Sequence, residues 1–391
     1  MTERRKGREM RRDTSRHRRY GGATALLLAM AMLLTACGDE GADPDAAADP
    51  DAAADPSDEG TEDEGSDANG DDGEADPGEA DDVELRELTM QLGWIASNNQ
   101  LGEIVAIAEG FYEEEGIDLT IDPGGPNIDG VAMVASGQAD IGQLSSSPSL
   151  MLAVSEGIPV KAFAAGAQEH PYTFFSLPEN PLNSPQDMAG LHVGTQATGE
   201  ILLNALLAAN DMSRDDLADF TPVGAEITPL LAGQVDVWTG WLTNTQQLSQ
   251  LPDGHHELRL WDAGVQLYAL PYYAQVDMLE DEPEVFEAFL RATARGWQFA
   301  HDNLDTAIDH LLDTYPNLER EAEEQGAQVI LGYVMADTAL EDGWGTMDPD
   351  VWQAQLDLWD ELDQFSAAPP TLDDIITMEL LENTADDRRM N

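Results

Sequence analysis

Residues 88–121, LTMQLGWIASNNQLGEIVAIAEGFYEEEGIDLTI, constrain the fold more than any other stretch, because their apolar period changes twice. Leu88, Met90 and Leu92 alternate with polar neighbours and stop at Gly93-Trp94, the pattern of a short strand closed by a turn. Ser97, Asn98 and Asn99 follow, all helix-capping types that leave backbone donors facing the space beyond the strand end. Leu101, Ile104, Val105 and Ala108 then recur at helical spacing, and Gly110 ends the helix. After a run of three glutamates, Ile117, Leu119 and Ile121 alternate again as a second strand. Such a strand–helix–strand unit opens a doubly wound α/β sheet, whose ligands bind beyond the carboxyl ends of the strands. Trp94 sits at one of those ends and is the first candidate for a ligand platform.

The residues before this unit do not read as a packed domain. Nine of the 18 basic residues lie within the first 19 positions, and residues 23–36, ATALLLAMAMLLTA, are apolar or small. That apolar run is too short for a routine membrane span. A basic region, an apolar region, small residues and then Cys37 make a bacterial lipoprotein signal, in which the thiol accepts the lipid. Cys37 is the only cysteine, so no internal disulfide is expected. Residues 37–84 repeat DPDAAA and continue in Asp, Glu, Gly and Ser, which cannot bury enough surface to offset ordering entropy. They read as an acidic disordered tether. Without residues 1–36, three of the 77 acids and nine of the bases are gone, leaving 74 against nine, a net −65. So negative a chain repels phosphates, and nucleic-acid binding is excluded from the expected functions.

Four later segments carry the remaining signal. Ser136-Gly137-Gln138-Ala139-Asp140-Ile141-Gly142 leads into Ser145, Ser146 and Ser147, with Pro148 opening a helix. Ser184-Pro185-Gln186-Asp187-Met188-Ala189-Gly190-Leu191-His192-Val193-Gly194 reads as a capped turn of helix and a strand that ends at Thr195. Thr198-Gly199 then cap a helix bearing Ile201, Leu202, Ala205 and Leu206. Val237 to Asn244, VWTGWLTN, places Trp241 and Asn244 after another strand, and residues 267–276 read as a return strand with Tyr268, Tyr272 and Tyr273. Beyond residue 278 the spacing is helical, with Phe286, Phe289, Leu290, Thr293 and Trp297 on one face, and Trp352 and Trp359 read as core.

These segments, together with Gly110–Leu119, GFYEEEGIDL, resemble the ABC-importer solute-binding proteins of the nitrate/sulfonate/taurine and thiamine-pyrimidine-precursor group. The resemblance covers about residues 85–280 and is looser over the later helices. It implies a two-lobed, periplasmic-binding-protein type II-like α/β fold, each lobe a doubly wound sheet. The expected division is a lipoprotein signal peptide over 1–36, the tether over 37–84, lobe 1 over 85–180 and lobe 2 over 181–270. The return strand and C-terminal helices, 271–391, would pack on lobe 1. It also implies hinge closure on a small-molecule ligand, with permease and ATPase partners. Together with the lipoprotein signal at Cys37, the expectation is an exported, lipid-anchored monomer on the outer face of the cytoplasmic membrane, with no cofactor.

Catalysis has little support in the residues. No Walker loop, HExxH or nucleophile elbow is present, and His255-His256 lacks a third spaced metal ligand. The resembled group includes a fungal pyrimidine-forming enzyme that depends on a Cys-rich motif, which this chain lacks. An enzyme on the same scaffold stays the third reading, and alkanesulfonate, taurine or nitrate binding the second. The first is a planar, pyrimidine-like nutrient stacked on Trp94, Trp241 and Tyr272. Ser97, Asn98, Asn99, Ser145, Ser146, Ser147, Thr195, Thr198 and Asn244 would supply hydrogen bonds, with Glu103 or Glu200 as partners for a ring amine. None of the nine bases after Cys37 falls in these loops, which favours a neutral or cationic ring over an anion.

Overall fold

The computed structural model describes residues 85–125 and 128–390, with Thr198 described in its backbone alone. All of these belong to the second of two units in the chain, Pro77–Asn391. Cys37, the signal peptide and the tether fall outside the described residues. Among the described residues, no helix is long and apolar enough to cross a membrane.

The first sheet is built from β1 (Arg86–Leu92), β2 (Ile117–Asp122), β3 (Ile141–Gln143) and β4 (Val160–Ala167). The chain then crosses to a second sheet of β5 (Tyr172–Ser176), β6 (His192–Thr195), β7 (Asp219–Pro222), β8 (Val237–Trp241) and β9 (His256–Arg259), and returns as β10 (Ala269–Gln275). The orders are β2-β1-β3-β10-β4 and β7-β6-β8-β5-β9. Both sheets therefore have one plan: β10 and β5, the strands that follow each crossing, take the fourth place and run antiparallel to their neighbours.

Helices fill the connections. α1 (Leu101–Ala108) follows β1, α2 (Pro148–Ser155) follows β3, and α3 (Glu200–Ala209) follows β6. After β10 come α4 (Pro283–Asp302), α5 (Arg320–Val334) and α6 (Pro349–Glu361). A short helix, Gly130–Ala135, starts after Asp129, whose carboxylate takes the Ala132 N–H and fixes the start. Phe286, Phe289, Leu290, Thr293 and Trp297 are all buried on α4, and Trp352 and Trp359 on α6, as their spacing predicts. Strand β4, VKAFAAGA, is buried along nearly its whole length, and its small residues let neighbouring layers approach.

Candidate functional site

A cavity of about 520 Å³ opens where the carboxyl ends of strands from both sheets converge. Gly93, Trp94 and Ile95 come from the end of β1, and Leu144, Ser145 and Ser146 from the end of β3. The second sheet contributes Gln196 and Gly199 after β6, and Trp241 and Asn244 at and after β8. The β1 loop is held by Gly124. Its N–H donates to the Trp94 carbonyl at 2.9 Å, and a Cβ there would lie 2.1 Å from the Leu92 carbonyl oxygen. Leu270 also lines the cavity, and its φ of +54 is a strained value for a branched side chain.

Aromatic, apolar and amide groups dominate the walls. Trp94 is 36% exposed at the mouth, while Trp241 is half-buried and meets the His170 ring edge-on, with centroids 5.1 Å apart. The Tyr172 N–H donates to His170 Nδ1 at 3.2 Å, so the neutral ring carries its proton on Nε2, an atom with no hydrogen-bond partner. Burial pushes the His170 pKa down to about 3, the Ser145 backbone offsetting part of this, so the ring is uncharged at neutral pH. Asn99 also lines the cavity, and its Oδ1 is buried without a partner. Carboxylates Asp129 and Glu156 stand at the exposed rim. No Arg or Lys is among the described lining residues.

The residues expected at a ligand site divide into two sets. Trp94, Asn99, Ser145, Ser146, Trp241 and Asn244 line this one cavity. Ser97, Asn98, Ser147, Thr195 and Tyr272 do not. The Ser97 side chain caps the turn beginning at Asn98, and its backbone N–H is taken by Gln100 Oε1 at 3.1 Å. Asn98 is buried and donates through both its backbone N–H and Nδ2 to Glu323. Ser147 precedes α2 without capping it, because its hydroxyl donates to Gln355 on α6. Thr195 is buried between the Tyr172 and Thr239 hydroxyls, so Tyr172 reaches the cavity and Thr195 braces it from behind. Tyr272 points the other way, into Phe163, Phe289 and Trp344, and donates to Glu103.

The two proposed carboxylate partners also lie elsewhere. Glu103 is fully buried behind Gln143, whose Nε2 donates to its Oε1 at 2.7 Å. Glu200 pairs with Arg214 at 2.7 Å. The side chain of Thr198 is not among those described. Sequence reading passed over His170, Tyr172, Gln100 and Gln143. His170 lies in the crossing between the sheets and Tyr172 opens β5, and no motif there marks a cavity wall. The glutamines carry no pattern that separates a cavity wall from an ordinary surface.

A cleft between two like sheets, walled by loops from both, defines the periplasmic-binding-protein fold. The aliphatic sulphonate binding protein SsuA from Escherichia coli shares it, with a TM-score of 0.59 at 16% identity over 75% of this chain and 92% of that one. At that identity the likeness is one of backbone. Residues 97–307 match the NMT1/THI5 like family, and the chain belongs to it. A formylaminopyrimidine-binding protein from Halalkalibacterium halodurans is 28% identical over 263 residues, 64% of this chain and 78% of that protein. Riboflavin-binding protein RibY from Chloroflexus aurantiacus is 26% identical over 285 residues, 68% of this chain and 78% of its own length. A 4-amino-5-hydroxymethyl-2-methylpyrimidine phosphate synthase from Schizosaccharomyces pombe is 30% identical over 156 residues, 38% and 43% of the two chains.

Proposed function

We propose that the protein is an extracytoplasmic receptor of an ABC importer that binds a small, planar, pyrimidine-like nutrient between its two sheets and closes on it. The observation that carries this is the cavity wall: two indoles, an unpartnered amide oxygen and rim carboxylates, with no Arg or Lys among the described lining residues. Indole faces suit a flat heteroaromatic ring. Asn99 Oδ1 accepts from a ring amine, and the His170 Nε2–H donates to a ring nitrogen or carbonyl. Two of the relatives are named for binding flat nitrogen heterocycles, which supports the same class. A sulfonate or nitrate would enter a cavity with two acids at the rim and no cation among its described lining residues. Turnover is the other alternative, since two relatives are named as synthases. The residues before the tether favour lipid anchoring at Cys37 and an outward-facing location, with a permease and an ATPase as partners.

Calorimetric titration of the full chain against formylaminopyrimidine, a hydroxymethylpyrimidine, riboflavin, taurine and nitrate tests the reading. A pyrimidine should bind most tightly, unchanged on recovery. Trp241→Ala should weaken it about fivefold while Trp241→Phe retains most of the affinity, as expected for loss of one ring contact of roughly 1 kcal/mol. Tighter binding of taurine or nitrate, or chemical conversion of the pyrimidine, would overturn it.

A further inference from the structure

One helix touches the binding loops of both sheets from behind, without lining the cavity itself. Asn98 precedes Asn99 and Gln100 in the β1 loop, and Thr243 lies between Trp241 and Asn244 in the β8 loop; those four neighbours all line the cavity. On α5, Glu323 is buried, and its Oε2 accepts from both the Asn98 N–H and Asn98 Nδ2, each at 2.8 Å. A Cβ added at Gly326 would stand 2.4 Å from Asn98 Nδ2 and 2.8 Å from the Thr243 carbonyl oxygen. The Thr245 hydroxyl donates to the Ala322 carbonyl at 2.7 Å. Residues 322, 323 and 326 share one helical face, so a single turn of α5 grips both loops. At its far end α5 meets the crossing itself: the Gln168 N–H donates to the Tyr333 carbonyl at 3.0 Å, and the Arg259 guanidinium lies over the Tyr333 ring at 5.2 Å.

We propose that α5 is a strap that sets the spacing of the two ligand loops, with Glu323 and Gly326 as its positioning residues. This rests on the two-lobed receptor reading above. A helix is stiff across one turn, so any side chain at 326 wedges Asn98 and Thr243 apart. A ligand that must touch both loops then finds fewer molecules with both in place, and its apparent affinity falls by that fraction. Glu323 acts at the same point by taking two donors of Asn98 that would otherwise be buried unpaired.

The test reads loop spacing with and without ligand. Spin labels at Asp118→Cys on β2 and Asp219→Cys on β7, in the full chain carrying Cys37→Ser, report the separation of the sheets by pulsed dipolar spectroscopy. Gly326→Val should move the ligand-free distribution to longer distances, and Gly326→Ala less far. Glu323→Leu should move it too, whereas Glu323→Gln, which keeps an acceptor for Asn98, should leave it in place. Titration with formylaminopyrimidine should show Kd raised about tenfold or more by Gly326→Val and left near wild type by Glu323→Gln. A distribution unmoved by both glycine substitutions, or shifted equally by Glu323→Gln and Glu323→Leu, discards the strap. Should Gly326→Val fail to fold, Gly326→Ala and the Glu323 pair decide. Should the wild-type chain bind no pyrimidine, the receptor reading fails for that ligand while the distances still decide the strap.

Discussion

Glu103 is fully buried on α1, and its two oxygens are treated unequally. Oε1 accepts from Gln143 Nε2 and from the Tyr272 hydroxyl, while Oε2 has no partner. Burial raises its pKa from 4.5 to about 7, and the bonds from Tyr272 and Gln143 offset only part of this. Between those values the folded protein holds a proton that the unfolded chain has released, so this residue lowers stability as pH rises through the window. The loss is complete above pH 7 and is roughly 3 kcal/mol by linkage. His170 has the opposite sense, because the unfolded ring takes up a proton below its ordinary 6.5 that the folded ring, held near 3, refuses. The two slopes oppose each other between pH 4.5 and 6.5. The informative quantity is therefore the difference between wild type and Glu103→Gln. Denaturant unfolding at pH 4.5 and pH 8 should show the variant gaining on the wild type at the higher pH; an equal difference at both would mean that Glu103 does not titrate in this range. The sequence reading offered Glu103 as the partner of a ring amine and Tyr272 as a stacking ring. Their side chains instead meet one another beneath the cavity floor.

At the scale of elements, α1 and α4 cross at two glycines. A Cβ on Gly102 would lie 2.3 Å from Trp297 Cδ1, and one on Gly296 would lie 2.0 Å from the Gly102 carbonyl oxygen. Neither contact is with the end of a flexible chain, so the helices would have to separate. Gly102→Ala should therefore lower stability by about 1–3 kcal/mol or more, from overpacking. Gly332 on α5 is exposed and would meet nothing within 4 Å, so Gly332→Ala should be neutral or raise stability by up to about 1 kcal/mol through helix propensity. Thermal denaturation of the two variants side by side checks the contrast. Equal effects would remove the packing explanation. Helix α1 itself was legible from Leu101, Ile104 and Val105, and so was the αL stop at Gly110, φ +73. The need for glycine at 102 was not, because Trp297 lies far along the chain and arrives only when α4 packs.

Charge is a property of the whole molecule. The described arginines are largely committed to local acids: Arg86 to Glu282, Arg214 to Glu200, Arg259 to Glu169, Arg291 to Glu115 and Arg320 to Asp309. Arg388 is buried on the backbone carbonyls of Trp344 and Leu381. Exposed pairs of this kind contribute little each, typically about 0–1 kcal/mol, and leave the excess of acids uncompensated. The melting temperature should rise between 0.05 and 1 M KCl, as the screening length shrinks from more than about 10 Å to about 3 Å. A flat profile would show that self-repulsion does not limit stability.

What the sequence determined by itself is what lies within a few residues of chain: alternating strands, helical spacing, the capping box at Ser184, the end of β1 before Gly93 and the end of α1 before Gly110. The topological rule then placed a site at the carboxyl ends of strands, and Trp94, Asn99, Trp241 and Asn244 do meet in one cavity. What only the tertiary structure decided is which polar side chain in each loop faces that cavity. Ser147 is drawn to Gln355, 208 residues away, and Asn98 to Glu323, 225 residues away. A buried donor takes whatever acceptor the packing brings to it, and such a partner leaves no mark in the residues beside it.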